Sequence, residues 1–152
     1  MCAKDFEPCR ECACLRLRRA GRAVTQHYEN HFRGSGLRAT QFSLLAALMQ
    51  TGSTPMTELA HLLGMERTTL TRNLAPLERM RYLKLAGDAD GRVRLVELTH
   101  TGKAAAARGL GSWKRAQATV GTVLAGLDLD WLREVARPQF RPNTCIYKSL
   151  TK

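Results

Sequence analysis

The chain has 152 residues, enough for one domain with a modest core, and 44% of them are hydrophobic, as in an ordinary globular protein. Its 24 Lys and Arg against 13 Asp and Glu give a formal charge of +11, the electrostatic footprint of a nucleic-acid binder. No apolar run approaches the roughly 18 residues needed to span a bilayer and no secretory signal precedes the first helix, so a cytoplasmic protein is expected, and five cysteines, an odd count, argue against a structural disulfide framework.

Residues 1–8 read as a loose lead-in, with Pro8 placed for the first turn of a helix. A long helix is expected over 9–32. Its apolar positions Leu17, Ala20, Val24, Tyr28 and Phe32 recur every three or four residues, and Arg16, Arg19 and Arg22 lie opposite. Such a helix is too long and too apolar to stand alone and needs another surface to pack against. Cys9, Cys12 and Cys14 crowd its start beside Arg10, Arg16, Arg18 and Arg19, where positive charge and the helix dipole favour thiolates. Exposed thiolates of this kind oxidise or capture soft metals, whereas the plainer reading makes them small apolar residues with no signalling role. His27, His31, His61 and His100 show no ligand spacing with a second Cys or His pair, so neither a structural metal nor a cofactor is expected.

Gly34-Ser35-Gly36 ends the helix, and Thr40 can cap the next, whose Phe42, Leu45, Ala46 and Met49 form one stripe widened by Leu44 and Leu48. After a loop over 51–55, Met56 is a candidate single-residue edge of a sheet. Thr57 is the expected cap of a short helix with Leu59, Leu62 and Leu63 on one face, ended by the left-handed backbone that Gly64 permits. A second helix should start near Glu66. Its Leu70, Leu74 and Leu77 define a buried face, leaving Arg67, Thr68, Thr69, Thr71, Arg72 and Asn73 mostly outward. Hydroxyls, an amide and guanidinium groups suit base edges and phosphate oxygens, whereas a merely solvated face would favour Glu and Lys. Pro76 should kink this helix or turn it early.

Leu83 and Leu85 alternate with Tyr82 and Lys84, Val93 and Leu95 alternate with Arg94, and Asp90-Gly91 between them is a hairpin-turn signal. Arg92 and Arg94 then sit at or beside the tip, where an arginine can enter a minor groove, with Asp88 and Asp90 orienting them. Thr99 can cap a last long helix with a stripe of Ala106, Leu110, Trp113, Gln117, Val120 and Leu124, weakened by Gly109, Gly111 and Gly121. A short helix with Trp131, Leu132 and Val135 is expected after Asp128, stopped by Pro138 and Pro142. The tail over 143–152 has no period.

The order of helices, the Asp88-Ala89-Asp90-Gly91-Arg92 turn and the Leu98-Thr99-His100-Thr101-Gly102 exit resemble the MarR family of bacterial winged-helix transcription regulators over residues 9–127. The resemblance implies a mainly α fold with a small β-wing: a winged helix-turn-helix core over 37–103, dimerisation helices over 9–33 and 101–137, and an irregular tail over 138–152 of one 152-residue domain. It further implies a homodimer on an inverted-repeat operator in double-stranded DNA, usually a repressor, released by a small molecule or an oxidant. In the organic-hydroperoxide-sensing branch a reactive cysteine opens the first helix. Cys14, followed by Leu17, Arg22, Ala23 and Thr25, falls at that place. Tyr28 matches one tyrosine that surrounds the thiol in that branch, and Arg18 stands where another would be. Cys145 of the partner, or Cys9 and Cys12 in the same chain, are candidate resolving thiols. Arg81 stands where the family often has glycine after the second helix of the motif. Two other classes remain open: a winged-helix protein-interaction module without specific DNA binding, and a thiol enzyme, against which no histidine and acid pair is arranged to activate Cys14.

Overall fold

The computed structural model describes residues 3–87 and 93–124, together with 126, 128 and 130. The expected turn over 88–92 with Asp88, Asp90 and Arg92, the short helix with Trp131, and the tail with Cys145 lie outside the described residues.

The chain does not begin loosely. Residues Ala3–Glu11 form a 3-10 helix with Pro8 inside it, and the first α-helix, α1 (Ala13–Phe32), starts four residues later than the expected Cys9. Helix α2 (Ala39–Thr51) follows, capped not by Thr40, which falls within its first turn, but by a bond from the Arg38 N–H to Gln41 Oε1 at 2.9 Å. Phe42, Leu44, Leu45 and Leu48 of α2 are buried, whereas Met49 is half exposed and leaves the expected stripe.

The edge of the sheet is β1 (Thr54–Pro55) rather than Met56, which opens α3 (Met56–Leu62) and is buried. Proline suits an edge strand, where its missing N–H costs no ladder bond. Pro55 also takes the N-cap position expected of Thr57. At the other end, Gly64 adopts φ +60° and the Met65 N–H reaches the Ala60 carbonyl at 2.9 Å, so α3 closes as the sequence required.

Helix α4 (Arg67–Arg79) buries Leu70, Leu74 and Leu77. It does not turn early at Pro76 but continues to Arg79. Arg81 is the sole non-glycine with positive φ (+56°) among the described residues. Strands β2 (Leu83–Gly87) and β3 (Arg94–Leu98) pair antiparallel with Leu83 opposite Leu98 and Leu85 opposite Val96, and the sheet order is β1-β3-β2. The buried phase of β3 is therefore Val96 and not the Val93 and Leu95 phase of the sequence pattern: Val96 is fully buried and Val93 is exposed. A one-residue change of phase moves every side chain to the other face.

Helix α5 (His100–Val123) starts where Thr99 Oγ1 accepts the Gly102 N–H at 3.0 Å. Its buried line is Ala105, Ala106, Gly109, Ser112, Ala116 and Val120, while Leu110 and Trp113 stand exposed, against the expected stripe. The reason is close packing. A Cβ at Gly109 would lie 2.7 Å from the Phe42 ring, so the small residues face α2 and the large ones are turned away. No helix among the described residues is long and apolar enough to cross a membrane.

Candidate nucleic-acid interface

The arrangement of α3, the Gly64 turn and α4 is built from the inside. Leu59 and Leu70 are fully buried, so the two helices are locked by the core rather than by their polar surfaces. With Leu70, Leu74 and Leu77 inward, the spacing leaves Arg67, Thr68, Thr69, Thr71 and Arg72 exposed on the opposite face. Arg67 and Arg72 make no ion pair among the described residues, and both guanidinium-bearing residues are exposed on this face. Thr71 donates its hydroxyl proton back to the Arg67 carbonyl at 2.9 Å and toward Met56 Sδ at 3.7 Å, which leaves its oxygen as an acceptor. Asn73 is half-buried rather than outward, with Nδ2 directed at Met65 Sδ 3.7 Å away. Neither thioether contact carries a sequence signal, because Met56 and Met65 are 15 and 8 residues from their partners and read as ordinary core positions.

Arg94 is exposed at the last described rung of the hairpin, opposite Gly87, and Arg92 lies outside the described residues. At the base of the hairpin Lys84 bonds Glu97 at 2.9 Å, and Ser53 Oγ bonds the same carboxylate at 2.9 Å. The bonds from Lys84 and Ser53 hold the Glu97 carboxyl below its usual range. These bonds tie the residue before β1 to β2 and β3.

The end of α4 is fastened to the start of α5. The Arg81 carbonyl accepts from Thr99 Oγ1 at 2.7 Å and from Thr101 Oγ1 at 2.8 Å, and the Tyr82 carbonyl accepts the Thr99 N–H at 3.1 Å. Gly102 completes the joint, since a Cβ there would sit 1.8 Å from the Tyr82 carbonyl oxygen. Farther along, His27 Nε2 meets the Ala116 carbonyl at 3.0 Å and Tyr28 Oη donates to Gln117 Oε1, joining α1 to α5. Burial pushes the Tyr28 hydroxyl up from its ordinary value. A cavity of about 300 Å³ opens beside these contacts, between Val24, Tyr28 and Phe32 of α1, Phe42 and Ser43 of α2, and Trp113 of α5.

The three thiols fall on two elements. Cys9 lies on the 3-10 helix, Cys12 caps α1 and Cys14 lies in its first turn, all three exposed. Arg18 Nη2 approaches Cys14 Sγ at 3.5 Å, so the residue standing at a tyrosine position supplies a cation instead. Tyr28 does not meet Cys14 within the chain, being about 21 Å along the same helix at 1.5 Å per residue. No group of three or more His, Cys, Asp or Glu among the described residues is arranged to hold a metal ion.

A winged helix-turn-helix DNA-binding family matches residues 37–84, the span from the start of α2 into β2. Among solved structures, the transcriptional regulator MosR of M. tuberculosis in complex with DNA is 40% identical, with a TM-score of 0.72 over 82% of this chain and 91% of that one. A probable transcriptional regulator from Pseudomonas aeruginosa is 28% identical, with a TM-score of 0.67 over 82% and 93%. A mutant MarR from E. coli complexed with operator DNA shares the fold at 16% identity, with a TM-score of 0.67 over 97% and 98%. No curated protein sequence matches the chain.

Proposed function

As a member of the MarR family of winged helix-turn-helix transcriptional regulators, this chain is a DNA-binding regulator, and from that premise we propose how it reads DNA and what releases it. It acts in the cytoplasm as a homodimeric repressor, without turnover, on an inverted-repeat operator in double-stranded DNA whose half-site centres lie about 10 base pairs apart. Each subunit lays α4 in a major groove. Arg72, Thr68 and Thr69 face base edges, Asn73 reads a base from the half-buried margin of that face by turning its amide out from Met65, Thr71 offers an acceptor, Arg67 takes a phosphate, and Arg92 and Arg94 approach the adjacent minor groove. The observation that carries this reading is the exposed, polar face of α4 set over a fully buried leucine line.

Release is assigned to the thiols. A hydroperoxide transfers its distal oxygen to the Cys14 thiolate beside Arg18, giving a sulfenic acid and an alcohol. A second thiol, Cys12 or Cys9 of the same chain or Cys145 of the partner, then displaces water to form a disulfide. A small ligand in the cavity lined by Tyr28 and Trp113 is the second reading, which the open space between α1, α2 and α5 favours.

The test is binding to the DNA upstream of the protein's own gene, with the protein reduced, treated with an organic hydroperoxide, and reduced again. Tight, salt-sensitive binding lost on oxidation and regained with thiol is the expected result. Binding that ignores the oxidant removes the thiol switch and leaves the ligand reading. Equal affinity for this DNA and for random DNA removes operator recognition at that site.

A further inference from the structure

Two residues on the reading face of α4 lean on sulfur. Thr71 Oγ1 lies 3.7 Å from Met56 Sδ, and Asn73 Nδ2 lies 3.7 Å from Met65 Sδ. Their surroundings differ. Met56 is 5% exposed inside the core, whereas Met65, in the turn between α3 and α4, is only half-buried and reachable by a small oxidant. The backbone of Met65 is pinned by its bond to the Ala60 carbonyl, so a change at its side chain is relieved by the side chains and not by the turn.

We propose that Met65 is an oxidant-sensitive modification site, independent of the cysteines, at which sulfoxide formation captures the Asn73 amide and weakens operator recognition. The inference rests on the base-reading role given to Asn73 above. In the reaction a lone pair on Met65 Sδ attacks the distal oxygen of a hydroperoxide. The S–O bond forms, the O–O bond breaks, and the departing oxygen leaves as alcohol or water with the proton. Sulfur loses two electrons and the peroxide gains them. A thioether is a weak acceptor with no atom between itself and the amide; a sulfoxide oxygen is a strong one that needs about 2.9 Å to its donor. A sulfoxide oxygen accepts at a bent angle, so an amide now 3.7 Å from the sulfur is within its reach, and the strong bond that forms holds Asn73 against the turn and off the DNA. Reduction of the sulfoxide by a dithiol-dependent reductase restores the thioether.

The experiment uses the full chain with all five cysteines replaced, Cys2→Ser, Cys9→Ser, Cys12→Ser, Cys14→Ser and Cys145→Ser. It is treated with graded hydrogen peroxide. Peptide mass then reports each methionine, and anisotropy reports affinity for the upstream DNA and for random DNA. Met49 and Met80, 50% and 39% exposed, are internal references for oxidant dose. The expected result is a loss of about tenfold on the upstream DNA, the scale of one base-reading contact, following the fraction of Met65 sulfoxide. Affinity returns with methionine sulfoxide reductases, and Met65→Leu holds its affinity under the same dose. An equal fall in Met65→Leu overturns the proposal, as does Met65 remaining a thioether while Met49 and Met80 oxidise, or a loss equal on random DNA. An untreated chain that does not distinguish the upstream DNA from random DNA overturns the base-reading role first, and this inference with it, before any methionine is oxidised.

Discussion

Arg72 and Arg67 both stand on the open face of α4 without an acidic partner among the described residues, yet their positions assign them different work. Arg67 is the first residue of the helix, where a side chain tracks the phosphates. Arg72 lies a turn and a half farther in, among Thr68, Thr69 and Asn73, where base edges come within reach. Arg72→Ala is expected to weaken binding to the operator by about 1–3 kcal/mol and to random DNA by much less, measured by competition at fixed salt. Equal losses on the two DNAs would make Arg72 a phosphate contact. Arg81 shows how a residue departs from its family's habit without harm to the unit. Its left-handed backbone costs on the order of 1 kcal/mol relative to glycine, and two threonine hydroxyls on its carbonyl hold it there.

At the scale of elements, packing against neighbours decides what local pattern leaves open. Gly102 and Gly109 both lie on the buried side of α5, but they meet different atoms. The added methyl of Gly102→Ala meets a backbone carbonyl that cannot move without opening the joint to Tyr82, whereas that of Gly109→Ala meets the edge of the Phe42 ring. Gly102→Ala should therefore destabilise the protein by about 1–3 kcal/mol. For Gly109→Ala, a gain of up to about 1 kcal/mol in helix propensity offsets part of its overpacking. Urea unfolding of the two variants gives the order, and a Gly109→Ala protein less stable than Gly102→Ala would refute it. The same contrast explains what the sequence made legible. The period of Leu70, Leu74 and Leu77, the Gly64 stop and the Thr99 cap all depend on short-range geometry, and each is found where expected. The phase of β3 depends on Leu85 and Leu83 across the ladder, and the phase of α5 depends on how closely α2 approaches, neither of which a linear pattern contains. The thioether contacts of Thr71 and Asn73 are likewise products of the folded turn.

For the whole molecule, the unfinished surface is informative. The residues of α1 from 13 to 23 are all exposed, Leu15 and Leu17 each by nearly half, and Leu110 and Trp113 of α5 stand free of the core. Exposed apolar side chains on two helices that already pack against each other form a surface fit for a second copy, in keeping with the homodimer proposed above. The full-length protein should sediment at twice its 16.9 kDa chain mass. The pair Leu17→Glu and Leu110→Glu should shift it toward the monomer with unchanged helix content and reduced operator affinity. A monomeric parent that still binds an inverted repeat tightly would refute the dimer.

The joint of Arg81 and Tyr82 with Thr99, Thr101 and Gly102 then acquires a mechanical meaning. Helix α5 has 24 residues, a rigid arm of about 36 Å with the reading helix bolted to one end. Pivoting that arm by only about 5° about its far end carries the bolted end through about 3 Å, close to the 3.4 Å rise of one base-pair step. In the proposed dimer two such arms would form calipers whose jaws are set from the opposite end, so that a small rearrangement near the pivot would misalign them with the helical repeat of DNA.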